Sequence, residues 1–344
     1  MVEIVKEVRE EGIRQPITLL IQRADYLLNV VTDQSSGEEK YEIKQVEVNS
    51  GSVAGLSLKR RNSELHRQML RQVGMDTAPS PDNQPDAALV ETLHMAWKLF
   101  NDPNAMVLIL STTFIPYKFD QRQIATELEQ ISDGKIECIF YSLQGTMENL
   151  HLDPNDFSLR QNSNGRRVAV VYSNMSALGY RPTFLKTYEL QMEGRRMIER
   201  STAIKAPSLA MGISCTKKIQ QDAMERPENY VLKPNRECGG HNYFDEKITE
   251  ALQKFTLKEK AAHILMQKLH PMTVENYTLR PLAEPQKATL VPELGVYGFL
   301  LGNEVDGTVL ENVQQGYHFR SKLAHLNGGG IGAGLGVYDT AYLF

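Results

Sequence analysis

The sequence predicts a mixed fold, a parallel α/β unit joined to α+β material, and three observations predict it. First, residues 86–205 alternate amphipathic stretches with short, continuously apolar runs: DAALVETLHMAWKLF, AMVLILS, DQRQIATELEQI, IECIFYS, VAVVY and YELQMEGRRMIERS. Strands apolar on both faces and separated by helices belong to a parallel sheet covered on both sides. Second, from about residue 206 the pattern changes to YVLKPN, AHILMQKL and VPELGVYGFL, with amphipathic ITEALQKF between the first two. That predicts shorter strands linked by long turns. Third, NGGGIGAGLG places six glycines in ten residues, which suits a mobile loop better than an element interior.

In chain order, MVEIVKEVREEG carries Val2, Val5 and Val8 at helical spacing. It has no capping residue in front, as though an earlier portion were missing. The apolar run at 17–22 predicts a strand, and a polar turn through Ser35, Ser36 and Gly37 follows. YEIKQVEVN then alternates Ile43, Val46 and Val48 against charged neighbours, with one break in phase, and brings Glu47 and Asn49 to the strand end. A helical stretch at 65–73 leads into GMDTAPSPDNQPD, a connector rich in Pro, Asp and Ser. The chain therefore divides at about 85 and 205.

Composition limits the function. At 344 residues, 41% hydrophobic and 23% charged, the chain reads as globular and large enough for two or three packed units. Its 38 basic and 42 acidic residues give a net charge of -4, no footprint for tracking a nucleic-acid backbone. Three cysteines, Cys138, Cys215 and Cys238, form no CxxC pair, so neither a disulfide framework nor a zinc cage is expected, and a reducing compartment fits. The sequence holds no run of eighteen apolar residues that would predict a membrane span. The expected location is cytoplasmic, or secreted if a longer precursor carries a signal peptide.

The familiar nucleotide and hydrolase motifs are absent: no GxxxxGK[ST], GxGxxG, HExxH or GxSxG occurs, and the eight histidines lack ligand spacing. Carboxylates and lysines remain. YVLKPNRECGGHNYF delivers Lys233 at a strand edge beside Gly239 and Gly240, where bare backbone can approach a phosphate. By itself this is equally a surface turn. Glu47, Glu237 and Glu293 each sit in or beside apolar sequence. With Asn49 they offer the oxygen ligands Mg²⁺ asks for, although each would also serve as an edge-strand charge. Lys217, Lys218, Lys233 and Lys322 match phosphate oxygens, whereas Arg23 and Arg320 can hold a carboxylate in a bidentate fork. The run AHILMQKLHP offers an apolar slot with backbone groups at its edge, fit for a base ring or for core packing.

Taken in order, IQRADY, KQVEVN, FDQRQI, ERSTAIKAP, TKKIQQ, YVLKPNRECGG, AHILMQKL, PELGVYG, FRSK and GGGIGAG resemble eukaryotic-type glutathione synthetase. The resemblance implies an ATP-grasp fold of that type with an inserted parallel α/β substrate-binding domain. On it, 1–85 is the N-terminal part of the metal-binding body, 86–205 the substrate-binding domain, and 206–344 the nucleotide-binding region with a glycine-rich lid at 327–336. It implies joining of glycine to γ-glutamylcysteine through an acyl phosphate, with ATP cleaved to ADP and phosphate, in a homodimer using Mg²⁺. Glu47, Asn49 and Glu237 would bind magnesium. Lys217, Lys233, Glu237, Gly239, Gly240, Asn242, Met266, Gln267, Lys268, Leu269, Glu293 and Lys322 would hold ATP. Arg23, Ser52, Gln121, Tyr180, Arg320, Ile331 and Gly332 would line the peptide site, with Arg320 and Lys322 at the catalytic centre.

The chain also departs from the family pattern. RECGGHN stands where the family has REGGGNN, placing Cys238 and His241 among the glycines, and Phe244 replaces a tyrosine. VVYSNMSALGYRP lacks the family's arginine before the GY pair, Gln267 replaces an acid, and only QQDAMERPENY separates TKKI from VLKP. An altered thiol-peptide or amine substrate, or a binding role with little or no turnover, is therefore the alternative expectation.

Overall fold

In the computed structural model the structure describes residues 1–33, 35–50, 53–111, 115–174, 185–214, 230–234, 242–326, 331 and 334–343. The chain opens with α1 (Val2–Glu11), the antiparallel pair β1 (Ile17–Thr32) and β2 (Glu39–Asn49), and α2 (Leu56–Gln72). An alternating block follows: α3 (Pro85–Phe100), β3 (Met106–Leu110), α4 (Ile115–Ile131), β4 (Cys138–Tyr141) and α5 (Leu143–Asn149). The hairpin β5 (Leu150–Leu152) and β6 (Leu159–Gln161) precedes β7 (Val168–Tyr172), α6 (Leu185–Arg200), β8 (Ile204–Ala206) and α7 (Leu209–Ser214). The last third holds β9 (Tyr230–Pro234), β10 (Tyr243–Phe244), α8 (Glu246–Lys254), α9 (Leu257–Lys260) and β11 (His263–Gln267). It ends with β12 (Val274–Thr278), β13 (Gln286–Asn303), β14 (Val309–Leu323) and β15 (Gly336–Asp339).

Among the described residues ten strands share one sheet in the order β15-β14-β13-β1-β8-β7-β3-β4, with β12 on β13 and β2 on β1. The strands β1, β8, β7, β3 and β4 pair in parallel, as the alternating pattern predicts, and the remainder pair antiparallel. Strand β1 joins the two regimes, antiparallel to β13 and parallel to β8 through Thr18 opposite Lys205.

Alternation along β3 shows why its sequence is apolar throughout. Val107 and Ile109 face a core built from Leu89, Leu93 and Trp97 of α3 together with Leu19, Ile21, Phe299 and Leu301. Met106, Leu108 and Leu110 face the other core, with Val171 and Ile198. Helix α3 starts where Pro85 supplies a ready-made φ, and ends at Asn101, whose φ of 58° is left-handed.

The structure corrects four expectations, the fourth of them at Pro234. The strands β9 and β11 are short, five residues each, as expected, but β13 and β14 are not, running 18 and 15 residues. VLENVQQGYHFRSKL mixes polar and apolar residues without an apolar run, so nothing in it warns of the strand. Strand β1 continues past residue 22 to Thr32, because β2 and β13 clamp it on both edges and the polar Arg23, Asp25 and Asn29 are paired rather than solvated. Helix α2 starts at Leu56 rather than 65, where Leu56 is fully buried in the main core.

A separate three-stranded sheet, β10-β9-β11, packs Leu232 against Ile248 and Ala251 of α8. Pro234 is the last residue of β9, opposite His263, so the ladder reaches one residue further than the proline predicts. The chain leaving β11 is stitched onto β1: Val30 N–H donates to the His270 carbonyl at 2.8 Å and Met272 N–H to the Leu28 carbonyl at 2.8 Å.

Candidate active site

Side chains alternate along a strand, so the pairing register decides which functional groups share a face. Arg23 lies opposite Asn49 and Tyr297, and Asp25 opposite Glu47 and Gly295. Glu293 lies opposite Arg320, Gly295 opposite His318, and Arg320 opposite Tyr338. Lys322 follows two residues after Arg320 on the same face. Four strands, β1, β2, β13 and β14, thus collect Arg23, Asp25, Glu47, Asn49, Glu293, Arg320 and Lys322 on one surface, from nearly opposite ends of the chain.

Contacts within this surface are specific. Arg23 grips Asp25 with both arms of its fork, Nε to Oδ1 at 2.6 Å and Nη2 to Oδ2 at 2.7 Å. Both residues are buried, Asp25 completely. The Asn49 amide nitrogen donates to Asp25 Oδ2 at 3.1 Å and to Glu47 Oε1 at 3.2 Å. Arg320 donates from Nε to Glu293 Oε1 at 2.6 Å and reaches Asp25 Oδ2 at 3.7 Å. Gly295 leaves the room these groups occupy: a Cβ there would stand 2.6 Å from Asp25 Oδ1 and 2.9 Å from Arg23 Cδ.

The charges tune one another. Burial raises the pKa of Glu293, Arg320 opposes the rise, and the negative Asp25 and Glu47 add to it. Burial lowers that of Lys322, with Glu293 opposing; its Nζ donates to the Leu326 carbonyl. Such shifts mark groups held away from their relaxed solution state.

Helix α2 closes this region from another side. Asp120 of α4 accepts from the backbone N–H groups of Gly55 and Ser57 at 3.0 Å each, fixing the start of that helix. From its first turn Lys59 places Nζ 3.1 Å from the ring centroid of Tyr338. That Nζ is buried and has no hydrogen-bond acceptor. A ring face supplies about 0.5–2 kcal/mol, against several kcal/mol for removing an ammonium from water, so the ring alone does not settle Lys59. Accordingly burial, reinforced by Arg23 and Arg320, pushes its pKa well down. The hydroxyl of Tyr172 and the amide nitrogen of Asn174 are likewise buried without partners. Beside them Gln121 donates to the Leu110 carbonyl at 2.7 Å and to Asn174 Oδ1 at 2.9 Å.

Of the residues the sequence singles out, the small sheet brings together Lys233 on β9, buried, and Met266 and Gln267 on β11, with Asn242 just before β10. Lys268 donates to Asp245 Oδ1 at 2.6 Å, and Leu269 follows it toward the β1 junction. The Ile331 carbonyl accepts from Gly334 N–H at 2.9 Å, and Arg280 donates to the Gly334 carbonyl at 2.8 Å and the Leu335 carbonyl at 3.2 Å. Ser52, Tyr180, Lys217, Glu237, Gly239, Gly240 and Gly332 lie outside the described residues, as do Cys238 and His241. Among the described residues no group of three or more His, Cys, Asp or Glu side chains is arranged to hold a metal. Glu47 and Asn49 nevertheless present an all-oxygen donor pair at one strand end, which fits a hard divalent cation.

Sequence reasoning missed Asp25, Lys59, Gly295 and His318. Asp25 and Gly295 lie inside the stretches IQRADY and PELGVYG, so spacing from Arg23 and Glu293 was an available signal. Nothing in the sequence around Lys59 or His318 distinguishes them from surface residues.

Known proteins resemble this chain throughout its length. The family described as eukaryotic glutathione synthase, ATP binding domain, matches residues 1–343. Glutathione synthetase of Rattus norvegicus is 30% identical over 99% of the chain and 78% of its own length. The chloroplastic glutathione synthetase of Arabidopsis thaliana is 28% identical over 100% of the chain and 68% of its own length. A solved structure, that of a glutathione synthetase like-effector from Globodera pallida in its apoform, superposes with a TM-score of 0.79 at 31% identity. It covers 99% of this chain and 80% of that one.

Proposed function

The chain belongs to the eukaryotic glutathione synthetase family of ATP-dependent ligases, and on that basis we propose that it joins glycine to γ-glutamylcysteine with cleavage of ATP to ADP and phosphate. The observation that carries this reading is the single sheet face on which Glu47, Asn49, Arg23, Asp25, Glu293, Arg320 and Lys322 meet. A protein that only bound a nucleotide would have no chemical need for this whole set. The proposal includes Mg²⁺ as the metal and a homodimer as the assembly. Among the described residues no helix is long and apolar enough to cross a membrane.

Activation of the peptide carboxylate as an acyl phosphate brings two negatively charged groups together, so the first task is neutralisation. Lys322 on β14 and Lys233 on β9, with Lys217, supply point charges to phosphate oxygens. Glu47, Asn49 and Glu237 would hold Mg²⁺, which when bound shields the phosphate oxygens from the incoming carboxylate. Arg23 and Arg320 orient carboxylates, and each is aimed by its own acid, Asp25 or Glu293, so little motion is left to freeze on binding. The glycine-rich stretch at 327–336 excludes water while the amine attacks. Met266, Gln267, Lys268 and Leu269 offer the adenine slot, with Glu293, Asn242, Gly239 and Gly240 completing the nucleotide site. Ser52, Gln121, Tyr180, Ile331 and Gly332 line the peptide.

A second reading, an altered thiol-peptide or amine substrate or a binding role with little turnover, draws on Asn174. It lies where the family's arginine is missing, and its buried amide nitrogen has no partner. Incubation with ATP, Mg²⁺, γ-glutamylcysteine and glycine separates the readings. Glycine-dependent ADP release with matching glutathione supports the first, and ADP release only with other amines supports the substrate variant. Nucleotide-dependent thermal stabilisation without turnover leaves the binding role. Glu237→Gln is expected to abolish turnover, and unchanged activity would remove Glu237 from the site.

A further inference from the structure

Two of the buried or half-buried cations at this face carry their own counter-charge, and a third does not. Arg23 is held by Asp25 and Arg320 by Glu293. Lys59 is 3% exposed, its Nζ has no hydrogen-bond acceptor, and among the described residues it forms no ion pair. Asp120, the acid at the same helix end, is occupied by the backbone N–H groups of Gly55 and Ser57.

His318 repeats the situation from the sheet. It is 5% exposed, its Nε2 has no partner, and its Nδ1 reaches only the Tyr297 hydroxyl at 3.5 Å. Both side chains flank the same ring: Lys59 Nζ stands 3.1 Å from the Tyr338 centroid, and the His318 ring meets it edge-on at 6.1 Å. Buried polar atoms almost always have partners, so two unpartnered nitrogens around one ring call for an oxygen from elsewhere.

We propose that Lys59, His318 and Tyr338 form a carboxylate-binding subsite that anchors the acid end of an amino-acid or peptide ligand. The proposal rests on reading this face as the ligase site. His318 and Arg320 are two residues apart on one strand, and Tyr338 is the cross-strand neighbour of Arg320. A carboxylate held by His318 would therefore sit one residue row from Arg320 and two from Lys322, the groups assigned to the reacting end. An ammonium and a single ring N–H match the two oxygens of a carboxylate, whereas the phosphates already have Lys233 and Lys322. Lys59 would act as a specificity-determining cation, favouring ligands that carry a second acid.

The test measures thermal stabilisation at fixed ionic strength by succinate, γ-glutamylcysteine and ATP, each against chloride. In the wild type succinate and γ-glutamylcysteine raise Tm. Lys59→Met, which replaces the unpartnered amine by an apolar chain of similar length, folds and weakens both by about tenfold or more, with the ATP response unchanged. His318→Phe keeps the ring packing, removes Nε2 and weakens both probes independently of Lys59. Wild-type affinity in both variants, or no response of the wild type to either acid, overturns the subsite. A succinate response that Lys59→Met abolishes, with indifference to γ-glutamylcysteine, keeps the subsite and refutes that peptide as substrate. A missing ATP response counts against the ligase reading alone.

Discussion

Arg23 and Asp25 stand two residues apart on one face of β1 and are linked by two short charge-assisted bonds in a buried setting. Burial disfavours the Arg23 charge and the Asp25 fork more than restores it, so neither group is at home without the other. Asp25→Asn keeps the shape and removes the counter-charge. It is expected to cost roughly 3–5 kcal/mol of stability, read from urea unfolding, and a loss under about 1 kcal/mol would show that Arg23 finds relief elsewhere. Gly295→Ala is a subtler probe of the same pair. Its new methyl would meet Asp25 Oδ1 at 2.6 Å and Arg23 Cδ at 2.9 Å, so both side chains must shift. A cost of about 1–3 kcal/mol is expected from overpacking, with turnover falling further than stability explains. Wild-type kinetics in Gly295→Ala would refute the geometry.

Helices α2, α3 and α4 are tied by one arginine. Arg60 Nε meets Asp86 Oδ2 at 3.0 Å, and its Nη2 donates to Glu127. Asp86 sits in the first turn of α3 with its side chain fully buried. Burial raises its pKa to about 6, with Arg60 opposing and Glu127 assisting. A folded-state value above the ordinary 3.8 means the folded protein binds more protons than the unfolded chain between the ordinary value and about 6. Stability is therefore expected to fall as pH rises through that window, at a slope of up to about 1.4 kcal/mol for each unit of pH. Asp86→Asn should flatten this part of the profile, and an unchanged slope would assign it to other carboxylates.

Across the whole molecule, β8 joins the parallel strands to β1 through a buried polar network. Thr18 Oγ1 donates to the Lys205 carbonyl at 2.9 Å and accepts from Ser208 N–H at 3.0 Å, and Ser208 Oγ donates to Glu304 Oε2 at 2.7 Å. Lys205 Nζ donates to the Ser201 carbonyl at 2.7 Å. Burial lowers the Lys205 pKa to about 8, with Glu199 and Glu304 opposing. The depressed value gives the unfolded chain the extra proton between about pH 8 and the ordinary 10.5, so stability is expected to rise across that interval. Lys205→Met should remove the rise. A slope that survives the substitution would place its origin outside this junction.

The parallel unit was legible in the sequence alone, because AMVLILS and VAVVY are apolar at every position apart from the terminal serine and tyrosine, as a strand buried on both faces requires. Arg23, Glu47, Asn49, Glu293, Arg320 and Lys322 stood out by residue type and motif, and what the structure adds is that they share one sheet face; their roles there are part of the proposal. The full length of β1 and the existence of β14 were not legible, since both carry charged and polar residues that break the apolar period. Nor did anything local select Lys59 and His318 from the other lysines and histidines. Their meaning comes from burial, lost partners and a shared ring, quantities set by β14, β15 and α2 arriving together from positions far apart in the chain. Local propensity acts over a few residues, whereas desolvation and register act between strands, and the second kind of physics brings these residues to one face.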